Sequence, residues 1–358
     1  MSSTDNKGSA PNALWYTRCS IPTPLGIGAQ LGWYQEEFAK DGIAVKSLQE
    51  SQDPSEQASH FEHTLPHSFR LGGAVPPIWA RARGQDTRVI GISWIDEYQA
   101  ILSLPESGIR SAKDLKGRRL ALPQRESERA SVDVARASAL RGFLVSLELA
   151  GLGHSDAEWV DVPTNRHETP EAHVQAPDTS VRRRRAHSYT SVARALIKGD
   201  VDAIYVKDVR GAETAHLLGA QVAVDLGFHP DPHVRINNCA PRPLTVNAAT
   251  LREHPDVVRR FLARVVGVGH WARHHPAEAV TEIARETGWT ENWVRFAYGD
   301  KVHQHLGTDL AESSIAGLEE FKNFLLKWNF LQADFDLRSW IDPQPLADLE
   351  RRPHLRTA

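Results

Sequence analysis

Sulfur is scarce in this chain: 358 residues hold two cysteines, Cys19 and Cys239, and one methionine. Two thiols so far apart exclude a disulfide framework, and a reducing compartment would keep both free. An excess of charge is lacking too. The formal net charge of -3 gives no general pull toward nucleic acid or an anionic membrane. No apolar run approaches the roughly 18–20 residues that cross a bilayer. No Walker or dinucleotide-binding fingerprint occurs. The opening MSSTDNKGSAPN lacks the charged and apolar regions of a secretory signal, so the expectation is a cytoplasmic protein.

What is present is concentrated in residues 59–77, SHFEHTLPHSFRLGGAVPP. Three histidines (His60, His63, His67), Arg70 and the pair Gly72-Gly73 share this stretch, which closes on Pro76-Pro77. Pro66 argues against a continuous helix, so the segment from His60 to Arg70 is expected to be a loop. Pro76 and Pro77 suit the first turn of a helix over PPIWARA. Gly72 and Gly73 then stand where main-chain N–H groups converge on an anion.

Around this stretch, strands and helices alternate. ALWYTRC (13–19) reads as a first strand stopped by Pro22 and Pro24, and a helix carrying Leu31, Tyr34 and Phe38 follows. Cys19 thus sits at the carboxyl end of a strand, the edge where open α/β sheets bind ligands. The pattern restarts near residue 107 and runs through strands at 118–122, 158–162, 201–206 and 221–226. A long helix is expected at about 127–150. Residues 163–187, with the run Arg182–Arg185, read as a solvated lid or insert. Residues 235–246 form an awkward strand containing Cys239, and the remainder is helical. The expected architecture is two α/β lobes with a cleft between them: 13–105 with 227–358, and 106–226.

Two resemblances sharpen this. DLKGRRLAL followed by ALIKGDVDAIYV resembles the second lobe of type-II periplasmic-binding-protein-like chains. More narrowly, YTRCSIP, HFEHTLPHSFRLGGAVPP, SVARALIKGDVDA with VAVDLG, and GHWARHHPAEAV resemble the cofactor-independent arylsulfinate desulfinases. The resemblance implies a C–S hydrolase acting on a small aromatic sulfinate as a monomer, without metal, organic cofactor, nucleic acid or membrane. It implies catalytic roles for Cys19, His60 and Arg70, and an N–H donor at Gly73. There are departures: the family's tyrosine and glutamine between the histidine and arginine are here His63 and Leu65. Phe143 is the one aromatic in residues 123–150, where the family places pocket-covering rings.

The residues suit that chemistry. A sulfinate spreads one negative charge over two oxygens, which the planar fork of Arg70 can meet together. Gly72 and Gly73 add oxyanion-type donors. Cys19, beside Arg18 and near His60, would act as nucleophile on sulfur or as proton donor to the ring carbon, with His60 positioning it or moving the proton. The rival readings are structural: Arg70 in an ion pair, Cys19 and Cys239 buried and inert. Zinc on His60, His63 and His67 would need an unbroken helix and a further ligand. His167-Glu168 with His173 has the wrong spacing for a metalloprotease motif. A non-catalytic binding protein for a sulfonate-type anion is the alternative function. A pyrimidine-synthase-like reading lacks its cysteine-rich cluster.

Overall fold

The computed structural model describes residues 11–19, 21–125, 132–164 and 189–351. The expected run at Arg182–Arg185, the 167–173 cluster and most of the 163–187 connection lie outside them. Five strands form the first sheet: β1 (Ala13–Tyr16), β2 (Ala44–Ser47), β3 (Ser68–Leu71), β4 (Thr87–Ser93) and β10 (Arg242–Asn247), in the order β2-β1-β3-β10-β4. β1 runs parallel to β2 and β3, whereas β10 runs antiparallel to β3 and β4. The apolar faces of these strands close on stacked rings: Phe261 lies 3.8 Å from Phe69 and 4.4 Å from Tyr34, centroid to centroid.

The helix expected after β1 is two helices, α1 (Pro24–Gln30) and α2 (Trp33–Ala39). Gly32 separates them at φ 77°, a left-handed conformation that costs glycine little and ends a helix.

The second sheet has β5 (Gln99–Ser103) at its centre, antiparallel to β8 (Ile204–Lys207) and β9 (Gln221–Asp225). β6 (Arg119–Arg125) and β7 (Glu158–Thr164) pair in parallel, and a bridge from Leu120 to Ala203 joins them to the approach to β8. The chain therefore crosses between sheets at residues 94–98 and 226–241. α5 (Val134–Leu149) packs on this side through Phe143 and Leu147. The strand expected over 235–246 begins only at Arg242. Asn237 and Ala240 instead exchange two main-chain bonds of 2.9 and 3.1 Å, making a tight loop that carries Cys239. Among the described residues no helix is long and apolar enough to cross a membrane.

Between the sheets lies a buried cluster of charge. Glu97, on the first crossing, accepts from Lys207 Nζ at the end of β8 (3.1 Å) and from Arg242 Nη2 at the start of β10 (3.1 Å). All three side chains are almost wholly buried. One carboxylate thus compensates a cation from each sheet, where an unpaired charge would be costly. Replacing Glu97 by Ala should lower the unfolding free energy by about 3–5 kcal/mol, read from urea denaturation. A midpoint equal to wild type would contradict this role.

Candidate active site

Cys19 follows β1 by three residues. The stretch is pinned on the way: Thr17 N–H donates to Phe69 O at 3.1 Å, and Arg18 N–H donates to Gln49 Oε1 at 2.7 Å. Arg18 was expected to act on the thiol through its charge. Its guanidinium is instead bound by Glu286, through Nε to Oε1 at 3.3 Å and through Nη2 to Oε2, and Gln30 Nε2 donates to the same carboxylate at 2.8 Å. An ion pair with a nearly inaccessible carboxylate offsets that charge, so Arg18 serves to hold the chain on which Cys19 is mounted.

Arg70 lies within β3, opposite Thr245 of β10, and not in a loop as expected. His60 also departs from the loop reading, lying in α3 (Pro54–Glu62). Asp53 caps α3 by accepting from Ser55 N–H at 2.8 Å, and His63 ends it at φ 54°. Pro66 falls after the helix has already stopped, so its exclusion from helix interiors never applied to His60. This placement lets the main chain of α3 reach Arg70. The Arg70 Nε donates to His60 O at 3.2 Å and Nη1 donates to Gly73 O at 2.9 Å. These two carbonyls help orient the guanidinium plane.

Gly72 is where thiol and guanidinium meet. A Cβ built there would stand 3.3 Å from Cys19 Sγ and 3.8 Å from Arg70 Nη2. Gly73 is confined on its other side, where a Cβ would lie 2.5 Å from Asn238 Nδ2. The N–H groups of Ala74 and Val75 donate to Asn238 O (2.5 Å) and Asn238 Oδ1 (2.8 Å). Among the described residues those of Gly72 and Gly73 have no main-chain acceptor. α4 (Val75–Ala82) then starts at the expected prolines.

Both His60 and His63 are buried beside Arg70, and His60 Nδ1 and His63 Nε2 have no hydrogen-bond partner among the described residues. Burial, with the Arg70 charge second, pushes the His60 imidazole down to about 3. Burial, then Arg70 and His60, holds His63 well below the usual histidine range. Both rings are therefore neutral at pH 7. His67 belongs elsewhere: its Nδ1 lies 3.2 Å from Thr250 Oγ1 and its ring 5.4 Å from His254. No group of three or more His, Cys, Asp or Glu side chains arranged for a metal occurs among the described residues.

Cys239 is buried, and burial, with Glu97 next, pushes its thiol up to about 12. Lys207 Nζ lies 3.1 Å from its sulfur. The thiol form persists at neutral pH, as expected for an unreactive cysteine. Glu286, Asn238 and the Glu97 cluster had no local sequence signal; each acts on residues more than a hundred positions away.

The histidine environment sets an acid limit on stability. A histidine whose folded pKa lies below its unfolded value stabilises the fold fully above about pH 6.5 and loses that contribution as pH falls toward the folded value. Each such ring should steepen the loss by about 1.4 kcal/mol per pH unit. His60→Asn and His63→Asn should each flatten the slope between pH 6.5 and 4 in denaturant titrations. An unaltered slope in both variants would show that neither ring is held neutral.

Against known proteins, the family model described as NMT1/THI5 like matches residues 22–139. The 2'-hydroxybiphenyl-2-sulfinate desulfinase of Rhodococcus erythropolis is 28% identical over 356 residues, covering 93% of this chain and 92% of the relative. The crystal structure of a cysteine-to-serine variant of DSZB in complex with biphenyl-2-sulfinic acid superposes with a TM-score of 0.73 at 27% identity, covering 95% of this chain and 99% of that one. The periplasmic aliphatic sulphonate binding protein SsuA from Escherichia coli shares the fold at a TM-score of 0.64 and 15% identity, over 93% of this chain and 92% of its own. Along nearly its whole length the chain is thus similar in sequence and structure to 2'-hydroxybiphenyl-2-sulfinate desulfinase, and it shares its fold with the sulphonate binding protein.

Proposed function

We propose that this protein is a desulfinase that cleaves the C–S bond of an aromatic sulfinate, taking up water and releasing the arene and hydrogen sulfite. The observation that carries this reading is the convergence of Cys19 Sγ and Arg70 Nη2 on Gly72, 3.3 and 3.8 Å from the position of an added Cβ. A relative bound to biphenyl-2-sulfinic acid indicates the substrate class. In this reading Arg70 takes the two sulfinate oxygens in its fork, and the Gly72 and Gly73 N–H groups add donors that hold the anion with its sulfur-bearing carbon against the Cys19 thiol. A reactive group and a charge-stabilising group then face the same sulfur.

Of the two routes open to Cys19, the neutral state of His60 supports proton donation. An imidazole held near 3 supplies no imidazolium to sustain a thiolate, and it is a weak base toward a thiol. The thiol proton passes to the ring carbon bearing sulfur and leaves a thiolate; the C–S electron pair returns to the ring as neutral sulfur dioxide departs; water adds to the sulfur dioxide to give hydrogen sulfite and a proton, and that proton restores the thiol. His60 contributes chiefly through its main-chain carbonyl, which sets the Arg70 plane.

Sulfite release from biphenyl-2-sulfinate tests the reading. Cys19→Ser should lower kcat by at least about 1,000-fold while still binding the sulfinate, because the group transferring the proton is gone and the anion clamp remains. Arg70→Ala should impair binding and turnover together, and a chelator should leave the wild-type rate unchanged. Wild-type rates in Cys19→Ser would refute its catalytic role. Tight sulfinate binding by a wild type that releases no sulfite would identify a binding protein instead.

A further inference from the structure

The turn that presents Gly72 and Gly73 is shaped from outside its own segment. We infer that Asn238, on the second crossing between the sheets, is a positioning residue for this anion-binding turn; the inference rests on the desulfinase reading above. Asn238 is almost wholly buried. Its side-chain Oδ1 accepts from Val75 N–H at 2.8 Å, and its main-chain carbonyl accepts from Ala74 N–H at 2.5 Å. Two consecutive N–H groups are thereby turned toward Asn238. The amide that carries the Ala74 N–H also carries Gly73 O, and fixing it aims that carbonyl at Arg70 Nη1, 2.9 Å away.

The remaining side-chain atom, Nδ2, occupies the space a Cβ on Gly73 would need, 2.5 Å from it. Only a short side chain with an acceptor at this reach closes the turn without striking it. Leucine matches the volume but leaves the Val75 N–H buried without its acceptor.

Asn238 is itself held from the second sheet. Its N–H donates to Asn237 Oδ1 at 2.8 Å, and Asn237 Nδ2 donates to Ser138 O of α5 (3.1 Å) and to Tyr205 Oη of β8 (3.0 Å). A path of hydrogen bonds therefore runs from the second lobe through Asn237 and Asn238 to the turn beside Arg70. Neither asparagine is placed to react. Their effect is on the direction of the Gly72 and Gly73 N–H groups, and hence on how squarely the bound sulfinate is held against the Cys19 thiol.

The test is the kinetics of sulfite release from biphenyl-2-sulfinate by the full chain. Asn238→Leu should lower kcat by about 100-fold, the scale of a 1 Å misplacement. KM should change less than about three-fold, since the Arg70 contact made in the ground state remains. Asn238→Ser, which keeps a shorter acceptor, should lose less. Gly73→Ala should cost less kcat in an Asn238→Ala background than in wild type, because the group its methyl would strike has gone. Should Asn238→Leu fail to fold, Asn238→Ser and the Gly73–Asn238 cycle decide the matter. An active wild type with kcat unchanged in both Asn238 variants, or with additive Gly73 and Asn238 effects, overturns this assignment alone. A wild type that releases no sulfite refutes the desulfinase reading and the assignment with it.

Discussion

The site depends on how Arg70 is fixed. Its guanidinium lies within a strand and is oriented by two main-chain carbonyls, His60 O and Gly73 O. Because α3 contributes one carbonyl and the turn after β3 the other, the guanidinium plane is set by the relative placement of a helix and a strand. Cys19 comes independently, from the end of the neighbouring parallel strand β1, and reaches the same point over Gly72. A side chain at position 72 would crowd the sulfur, 3.3 Å from its Cβ, and come within 3.8 Å of the guanidinium. Glycine suits the position by leaving room for that approach, not by a left-handed φ.

The neutral histidines belong to the same constraint. Two rings buried beside a guanidinium cannot both be charged, and burial with Arg70 keeps His60 and His63 in the imidazole form. The cationic character of the pocket is therefore carried by Arg70, which is strand-bound and cannot lose its proton at physiological pH. At the same time, the wider fold keeps charge balanced where it is not used. Glu286 offsets Arg18, and Glu97 offsets Lys207 and Arg242. Buried ion pairs of this kind add little net stability but are costly to break from one side, so they fix geometry between elements distant in sequence.

Much of this was legible in the sequence where the signal is local. The aromatic, strand-favouring run before Cys19 marked β1, Pro76-Pro77 marked the start of α4, and the spacing of Cys19, His60, Arg70 and Gly73 carried the resemblance to desulfinases. The misreadings have physical causes. Pro66 suggested a loop over His60, but α3 ends at Glu62 and needs no residue beyond it. β3 has four residues, too few for an alternation to show, and it is buried on both faces. Cys239 was read into a strand over 235–246, whereas the Asn237–Ala240 bonds fold its part of that stretch into a loop. The roles of Arg18, Glu97 and Asn238 were illegible in principle. Each is decided by a partner that only the tertiary fold brings near.

The central claim is that one bound anion faces both the Cys19 sulfur and the Arg70 guanidinium. Protection of Cys19 from alkylation measures this directly, since the chain's other thiol is buried and pushed up to about 12. Intact-mass kinetics with iodoacetamide should show single labelling at Cys19, slowed at least ten-fold by saturating biphenyl-2-sulfinate, a block on the order of ten-fold being what occupancy of a confined site imposes. The same protection should vanish in Arg70→Ala. Labelling of Cys19 at an undiminished rate with the sulfinate bound would mean that thiol and anion occupy different places, and the account would fail.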